Sequence, residues 1–131
     1  MSTLNRLQIS RYRKEIGGRV RKLEYLSSRC LFPDPLIKGN PQKVFRTCGK
    51  QTCRCMKNPK NRHGPYKVIA VVKEGKQRQI PLRKEEGNLW DLTDRYQYQM
   101  KQLYEFQKIV SEIRKLILEV LEKRLMKFPN R

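Results

Sequence analysis

Residues 48–66 read Cys48-Gly49-Lys50-Gln51-Thr52-Cys53-Arg54-Cys55-Met56-Lys57-Asn58-Pro59-Lys60-Asn61-Arg62-His63-Gly64-Pro65-Tyr66. Written as spacing, the stretch is C-x4-C-x-C-x7-H. Three thiolates and one imidazole make a closed tetrahedral donor set, the preference of structural zinc. Sulfur and nitrogen suit Zn2+ better than Mg2+ or Ca2+, which favour oxygen. Cys48, Cys53, Cys55 and His63 are therefore the candidate ligands, and structural Zn2+ the expected cofactor. His63 is the chain's single histidine. The spacing differs from paired C-x2-C knuckles and leaves two other readings open: a redox dithiol at Cys53 and Cys55, or cysteines with no ligand. Gly49 lets the backbone curl after the first ligand. Lys50 and Arg54 favour the charged sulfur.

The flanks of this stretch define the fold class. Gly64-Pro65 fixes the turn after His63, and Tyr66 to Val72 follows as a strand rich in β-branched residues. Glu74-Gly75 predicts a tight turn, and Gln77 to Leu82 the returning strand of a hairpin. Pro81 confines that return to an edge or a strand end. Upstream, Val44 to Thr47 reads as a short strand entering the cluster, and Leu36 to Gln42, with Gly39-Asn40-Pro41, as a loop.

Helices close both ends. Ile9, Tyr12, Ile16, Val20, Leu23, Leu26 and Cys30 recur at spacings of three and four, with one slip at position 19, and predict a helix over Thr3 to Cys30. Gly17-Gly18 within it would mark a kink, a break or a close backbone contact. Cys30, on the apolar face, reads as a buried structural thiol. Phe32-Pro33-Asp34-Pro35 stops the helix.

Leu89, Leu92, Tyr96, Gln99, Leu103, Phe106, Val110, Ile113, Ile117 and Val120 alternate three- and four-residue steps, a coiled-coil-type seam. A second stripe runs through Ile109, Leu116, Leu121, Leu125 and Phe128. The expected fold class is α+β: an N-terminal helix, a zinc knuckle with a short β-hairpin, and a long C-terminal helix. Residues 1–131 are read as a single domain, with a basic helical segment at 1–33, the knuckle and hairpin at 43–83 and the long helix at 84–128. With 37% hydrophobic residues, many of them on the helices, the middle section needs a metal staple in place of a large core.

Charge narrows the function. The 131 residues carry 31 Lys and Arg against 12 Asp and Glu, a net charge of +19. Such an excess repels itself in the compact state unless an anion neutralises it, and phosphate backbones do so with release of counterions. Most of the excess lies in the first half, and no Asp or Glu occurs from residue 35 to 73. Lys50, Arg54, Lys57, Lys60 and Arg62 fall in the cluster or its loop. Arg11, Arg13, Lys14, Arg21 and Lys22 lie on the polar face of the first helix. These ten side chains are the expected phosphate contacts. Tyr66 would either stack on an unpaired base or pack against the sheet. Tyr96, Tyr98 and Tyr104 read as core or interface residues.

CGKQTCRC (48–55) followed by HGPY (63–66), a strand, a Gly turn and a long charged helix resembles a family of small prokaryotic and phage proteins described as a domain of unknown function. The resemblance covers roughly Val44 to the C-terminus. It implies that Cys48, Cys53, Cys55 and His63 are the family's metal ligands and Tyr66 its aromatic at the strand start. It also implies an association with phages and mobile elements. The sequence departs from the family pattern at Ile69-Ala70-Val71-Val72, where a more aromatic strand is common.

The expected function is a zinc-stabilised nucleic-acid-binding accessory protein, taking DNA or RNA. The 89–120 seam predicts a homodimer or docking onto a larger nuclease, transposase or ribonucleoprotein. The alternative is an adaptor that docks a protein through its long helix. A metal-dependent nuclease needs carboxylates or an open metal position, and the knuckle region supplies neither; no catalytic residue is expected. No apolar run is long enough for a membrane helix, and Met1 to Ser10 lacks the apolar core of a secretory signal. The expected location is the cytoplasm of a prokaryotic cell or a phage-infected host.

Overall fold

The computed structural model describes residues 4–130. Its order is α1 (Arg6–Cys30), β1 (Asn40–Arg46), β2 (His63–Lys73), β3 (Lys76–Pro81) and α2 (Gly87–Arg124), an α+β arrangement. The chain divides into two compact units. One holds the residues up to Phe32 together with those from Gln99 onward; the other holds Pro33–Tyr98. The first turns of α2 belong to the second unit and its remainder to the first.

In the first unit, α1 starts at a reciprocal cap. The Asn5 side chain accepts from the Gln8 N–H at 2.9 Å, and the Gln8 side chain accepts from the Asn5 N–H at 3.0 Å. The expected start at Thr3 lies outside the described residues. Gly17-Gly18 neither breaks nor ends the helix, which is continuous to Cys30.

The C-terminal part of α2 packs antiparallel on α1. Tyr12 Oη donates to Glu119 at 3.2 Å, and Arg19 Nε to Glu112 at 3.2 Å. Seven residues forward on α1 match seven back on α2, the heptad repeat of an antiparallel helix pair. Lys123 Nζ adds a bond to Tyr12 Oη at 3.0 Å. That bond holds the Lys123 pKa above its ordinary value, with help from the charge of Glu119.

This packing corrects the expected seam. Ile109 is buried, and Ile113, Leu116 and Val120 are partly buried, whereas Leu103, Val110 and Ile117 are exposed. The inward face thus combines members of both sequence stripes. On α1, the half-buried Arg19 takes the inward position and leaves Val20 exposed. Cys30 is also exposed and is not the buried thiol expected from its spacing. Position 26 is the last buried one on α1, and Cys30 lies a full turn beyond it, where the helix ends.

The second unit is built on a three-stranded antiparallel sheet in the order β1-β2-β3. Residues 40–42, expected to be loop, form the start of β1. Pro41 is tolerated there because β1 is an edge strand. The hairpin turn at Glu74-Gly75 has φ of 52° and 76°, the left-handed pair of a two-residue turn.

Val68, Ile69 and Ala70 of the central strand form the buried core. Their two faces are covered differently. Over Ile69 lies the start of α2, brought close by Gly39: a Cβ there would stand 2.7 Å from Ile69 Cγ2 and 3.1 Å from Thr93 Cγ2. Two bonds hold the segment before β1 to α2, Ile37 N–H to the Leu92 carbonyl at 3.3 Å and Gln97 Nε2 to the Gly39 carbonyl at 2.7 Å. Thr93 is fully buried, its hydroxyl satisfied at 2.9 Å by the carbonyls of Leu89 and Trp90.

On the other face, Gln42 is registered opposite Val68 and Gln79 opposite Ala70. Directly opposed side chains share a face. Gln79 bonds Gln42 at 3.3 Å and accepts from Arg46 at 3.0 Å, so a polar strap crosses above the small central residues.

Candidate metal centre

The sheet carries one of the four candidate ligands and leads directly into a second. The β1–β2 register pairs Arg46 with His63 after an irregularity between Val44 and Arg46. His63 therefore opens β2, and Cys48 follows two residues after the end of β1. The other two ligands come from the loop. A turn closed by the Cys53 N–H on the Lys50 carbonyl, 3.1 Å, precedes a 3-10 turn at Arg54–Met56 that carries Cys55. Gly49 takes φ of 82° as the chain leaves Cys48, a left-handed conformation that costs other residues about 1 kcal/mol or more. Gly64 takes φ of 138°, and a Cβ there would meet the Val44 carbonyl oxygen at 2.7 Å. The close approach of the two strands at the ligand end thus requires glycine.

The four ligand atoms all lie within 4.8 Å of one another. Cys48 Sγ is 3.6 Å from Cys55 Sγ, and Cys53 Sγ is 3.3 Å from His63 Nε2. A tetrahedral ion with metal–sulfur bonds of about 2.3 Å and metal–nitrogen bonds of about 2.05 Å has edges of about 3.8 Å and 3.5 Å. The two observed edges fall about 0.2 Å short of these values, which a bound ion would restore by a small expansion. Cys48, Cys53, Cys55 and His63 could therefore hold a metal ion.

The electrostatics favour thiolate at one sulfur and oppose it at another. The Cys53 thiol is drawn down to about 6, first by the Cys55 backbone N–H and then by His63 and the neighbouring sulfurs. At Cys55 the Cys48 N–H, 3.4 Å away, favours the anion. Burial and the sulfurs of Cys53 and Cys48 outweigh it, and the thiol sits above its ordinary value. Thiolates this close repel one another, and a cation between them would relieve that repulsion.

The basic residues of the loop stand around this cluster. Arg54 begins the 3-10 turn that bears Cys55, and Lys60 lies in a second one, Pro59–Asn61, whose Lys60 N–H is capped by the Asn58 side chain at 3.0 Å. Lys50, Arg54, Lys57, Lys60, Arg62 and Tyr66 are all exposed. In the other unit Arg11, Arg13, Lys14, Arg21 and Lys22 are exposed along α1. Among the described residues, no carboxylate pairs with any of these ten cations; the salt bridges there are Arg19–Glu112 and Arg83–Glu86.

Phe45 was not among the sequence candidates. It is 55% exposed at the β1 irregularity, with its ring 3.1 Å from the position of a Gly64 Cβ. A large aromatic shortly before the first candidate ligand, inside a basic run, is the signal that could have found it.

Among the described residues, no helix is long and apolar enough to cross a membrane. No curated protein and no solved structure matches the chain. A family model does match, over residues 12–89. The expected resemblance runs from Val44 to the C-terminus; the match instead takes in most of α1 and ends as α2 begins. By this match, which spans the whole metal-ligand cluster, the chain belongs to the family described as a domain of unknown function, DUF6788.

Proposed function

We propose that the chain is a nucleic-acid-binding accessory protein in which a structural zinc ion holds the cationic 48–66 loop in one shape. The observation that carries this reading is the closed Cys3His donor set inside a run with no carboxylate from residue 35 to 73. Four protein donors fill a tetrahedron and leave no open position for an activated water, so the metal orders the fold and takes no part in a reaction. Charges on an ordered loop lose less entropy on docking than charges on a free one. The thiolate and imidazole donors support zinc as the ion, by their softness. A phage or mobile-element setting rests on the resemblance of the CGKQTCRC and HGPY segments, and a larger nuclease, transposase or ribonucleoprotein partner on the apolar seam of the long helix. The test is purification of the tagged chain with its bound nucleic acid, which is then sequenced, alongside metal analysis. Near-stoichiometric zinc and salt-labile DNA or RNA are expected. Zinc-loaded protein that retards no oligonucleotide at ~50 mM salt, where phosphate contacts bind strongly, would overturn it.

One observation favours the adaptor reading as a second. Leu103, Val110 and Ile117, one heptad apart, are exposed at 41%, 44% and 45% on α2, and Leu121 continues the row. Such a stripe fits a further helix, from a second copy or another protein. Sedimentation of the purified chain separates the two: a dimer lost on Val110→Asp and Ile117→Asp identifies self-association.

A further inference from the structure

We propose that the end of the β1–β2 ladder beside the metal-ligand cluster binds unpaired nucleotides, with Phe45 and Tyr66 stacking on bases and Arg46 and Arg62 holding phosphates. This rests on the nucleic-acid reading above and narrows it to single strands.

The first observation is aromatic. Phe45 is 55% exposed and Tyr66 49% exposed, although both sit in ordered strand backbone. Val44 is registered opposite Tyr66, which puts Phe45 and Tyr66 at the same end of the ladder. The Phe45 ring lies against Gly64, and its position is thereby set without being buried. Tyr66 follows Gly64 by two residues. Two large rings held in place with half their surface in water lack the burial that usually accounts for aromatic side chains.

The second observation is electrostatic. Arg46 is registered opposite His63, and its guanidinium donates to Gln79 at 3.0 Å. Gln79 stands opposite Ala70, on the face that alternation gives to Tyr66 and Val68, so Arg46 and Tyr66 share a face of the sheet. Arg62 precedes His63, so a second cation adjoins the same end. Neither arginine pairs with a carboxylate among the described residues.

Rings and cations together distinguish the ligand. A duplex presents phosphates but keeps its bases stacked on one another, and exposed rings gain nothing from it. A single strand offers both, and basic grooves with aromatic platforms are the general solution for binding one. A protein partner is disfavoured by the density of one charge sign around the two rings.

The experiment is fluorescence anisotropy on the full, zinc-loaded chain with a labelled 15-nucleotide oligo-dT and with a duplex of equal length, at one salt concentration. The single strand is expected to bind more tightly. Phe45→Leu and Tyr66→Leu should each weaken it by about fivefold or more while changing duplex affinity less than twofold. Tyr66→Phe should retain binding. Zinc content and circular dichroism confirm that each variant is folded. Equal affinity of the unaltered protein for single strand and duplex would overturn the proposal, whatever the variants do. Binding insensitive to Phe45→Leu and Tyr66→Leu but abolished by charge reversal in the loop would also overturn it and leave the phosphate reading standing. Absence of binding to either probe would overturn both.

Discussion

Cys53 Sγ and His63 Nε2 stand 3.3 Å apart across ten residues of a basic, turn-rich loop. Nothing apolar draws them together, since Cys55 is the one buried hydrophobic residue between β1 and β2. A loop of that composition closes at an entropic cost that grows with its length, and a shared ion would offset it.

Replacing Cys53 by Ser removes one corner of the donor set. The variant should lose bound metal and unfold residues 44–66 locally, while α1 and α2 keep their helicity. Metal analysis with circular dichroism reads both effects. Unchanged metal content would remove Cys53 from the ligand set.

Acid should release the metal. The Cys55 thiol sits above its ordinary value in the metal-free cluster, so at neutral pH it carries a proton that binding must expel. Lower pH therefore favours the protonated, metal-free state. Apparent zinc affinity should fall by at least about tenfold per pH unit below 7, as a competition titration with a chromogenic chelator can show.

Gly39→Ala should destabilise the second unit by about 1–3 kcal/mol, the usual cost of overpacking. Its Cβ would stand 2.7 Å from Ile69 Cγ2, and both Ile69 and Thr93 are held among buried neighbours. Urea denaturation followed by Trp90 fluorescence reports on this unit.

Gln99→Leu should do the opposite. The Gln99 Oε1 atom is buried with no hydrogen-bond partner among the described residues. Removing such a group typically recovers about 1 kcal/mol. The thermal midpoint should rise; a fall would show that the amide is satisfied by water.

Charge reversal at Arg54, Lys57 and Arg62 should weaken binding to many sequences alike and flatten its salt dependence, by about one unit of slope for each phosphate no longer neutralised. Retardation assays at two or more salt concentrations check it. A loss confined to one sequence would mean that these side chains read bases.

The Cys3His cluster was legible because its chemistry is written in residue type: three cysteines and the lone histidine within sixteen positions. The hairpin was legible from the β-branched and aromatic run at 66–72 and the Glu74-Gly75 turn. The first strand was only half legible, since Gly39-Asn40-Pro41 carries the composition of a loop; edge pairing with Ile69 and Ala70 overrides it. The face of α2 was the hardest feature to read. Two apolar stripes compete along it, and position 109 rather than 110 turns inward because α1 takes up the register fixed by Tyr12–Glu119 and Arg19–Glu112. Spacing on one helix cannot report where its neighbour lies. Phe45 was hidden for a related reason: a lone aromatic in a strand is ordinarily core, and only the β1 irregularity shows otherwise.

The most direct test is zinc-edge X-ray absorption on the purified chain, with metal quantified in the same sample. One zinc per chain in a shell of three sulfurs at about 2.3 Å and one nitrogen at about 2.05 Å is the predicted result. Metal-free, folded protein with all four thiols freely reactive, or an ion bound through oxygen, would contradict it.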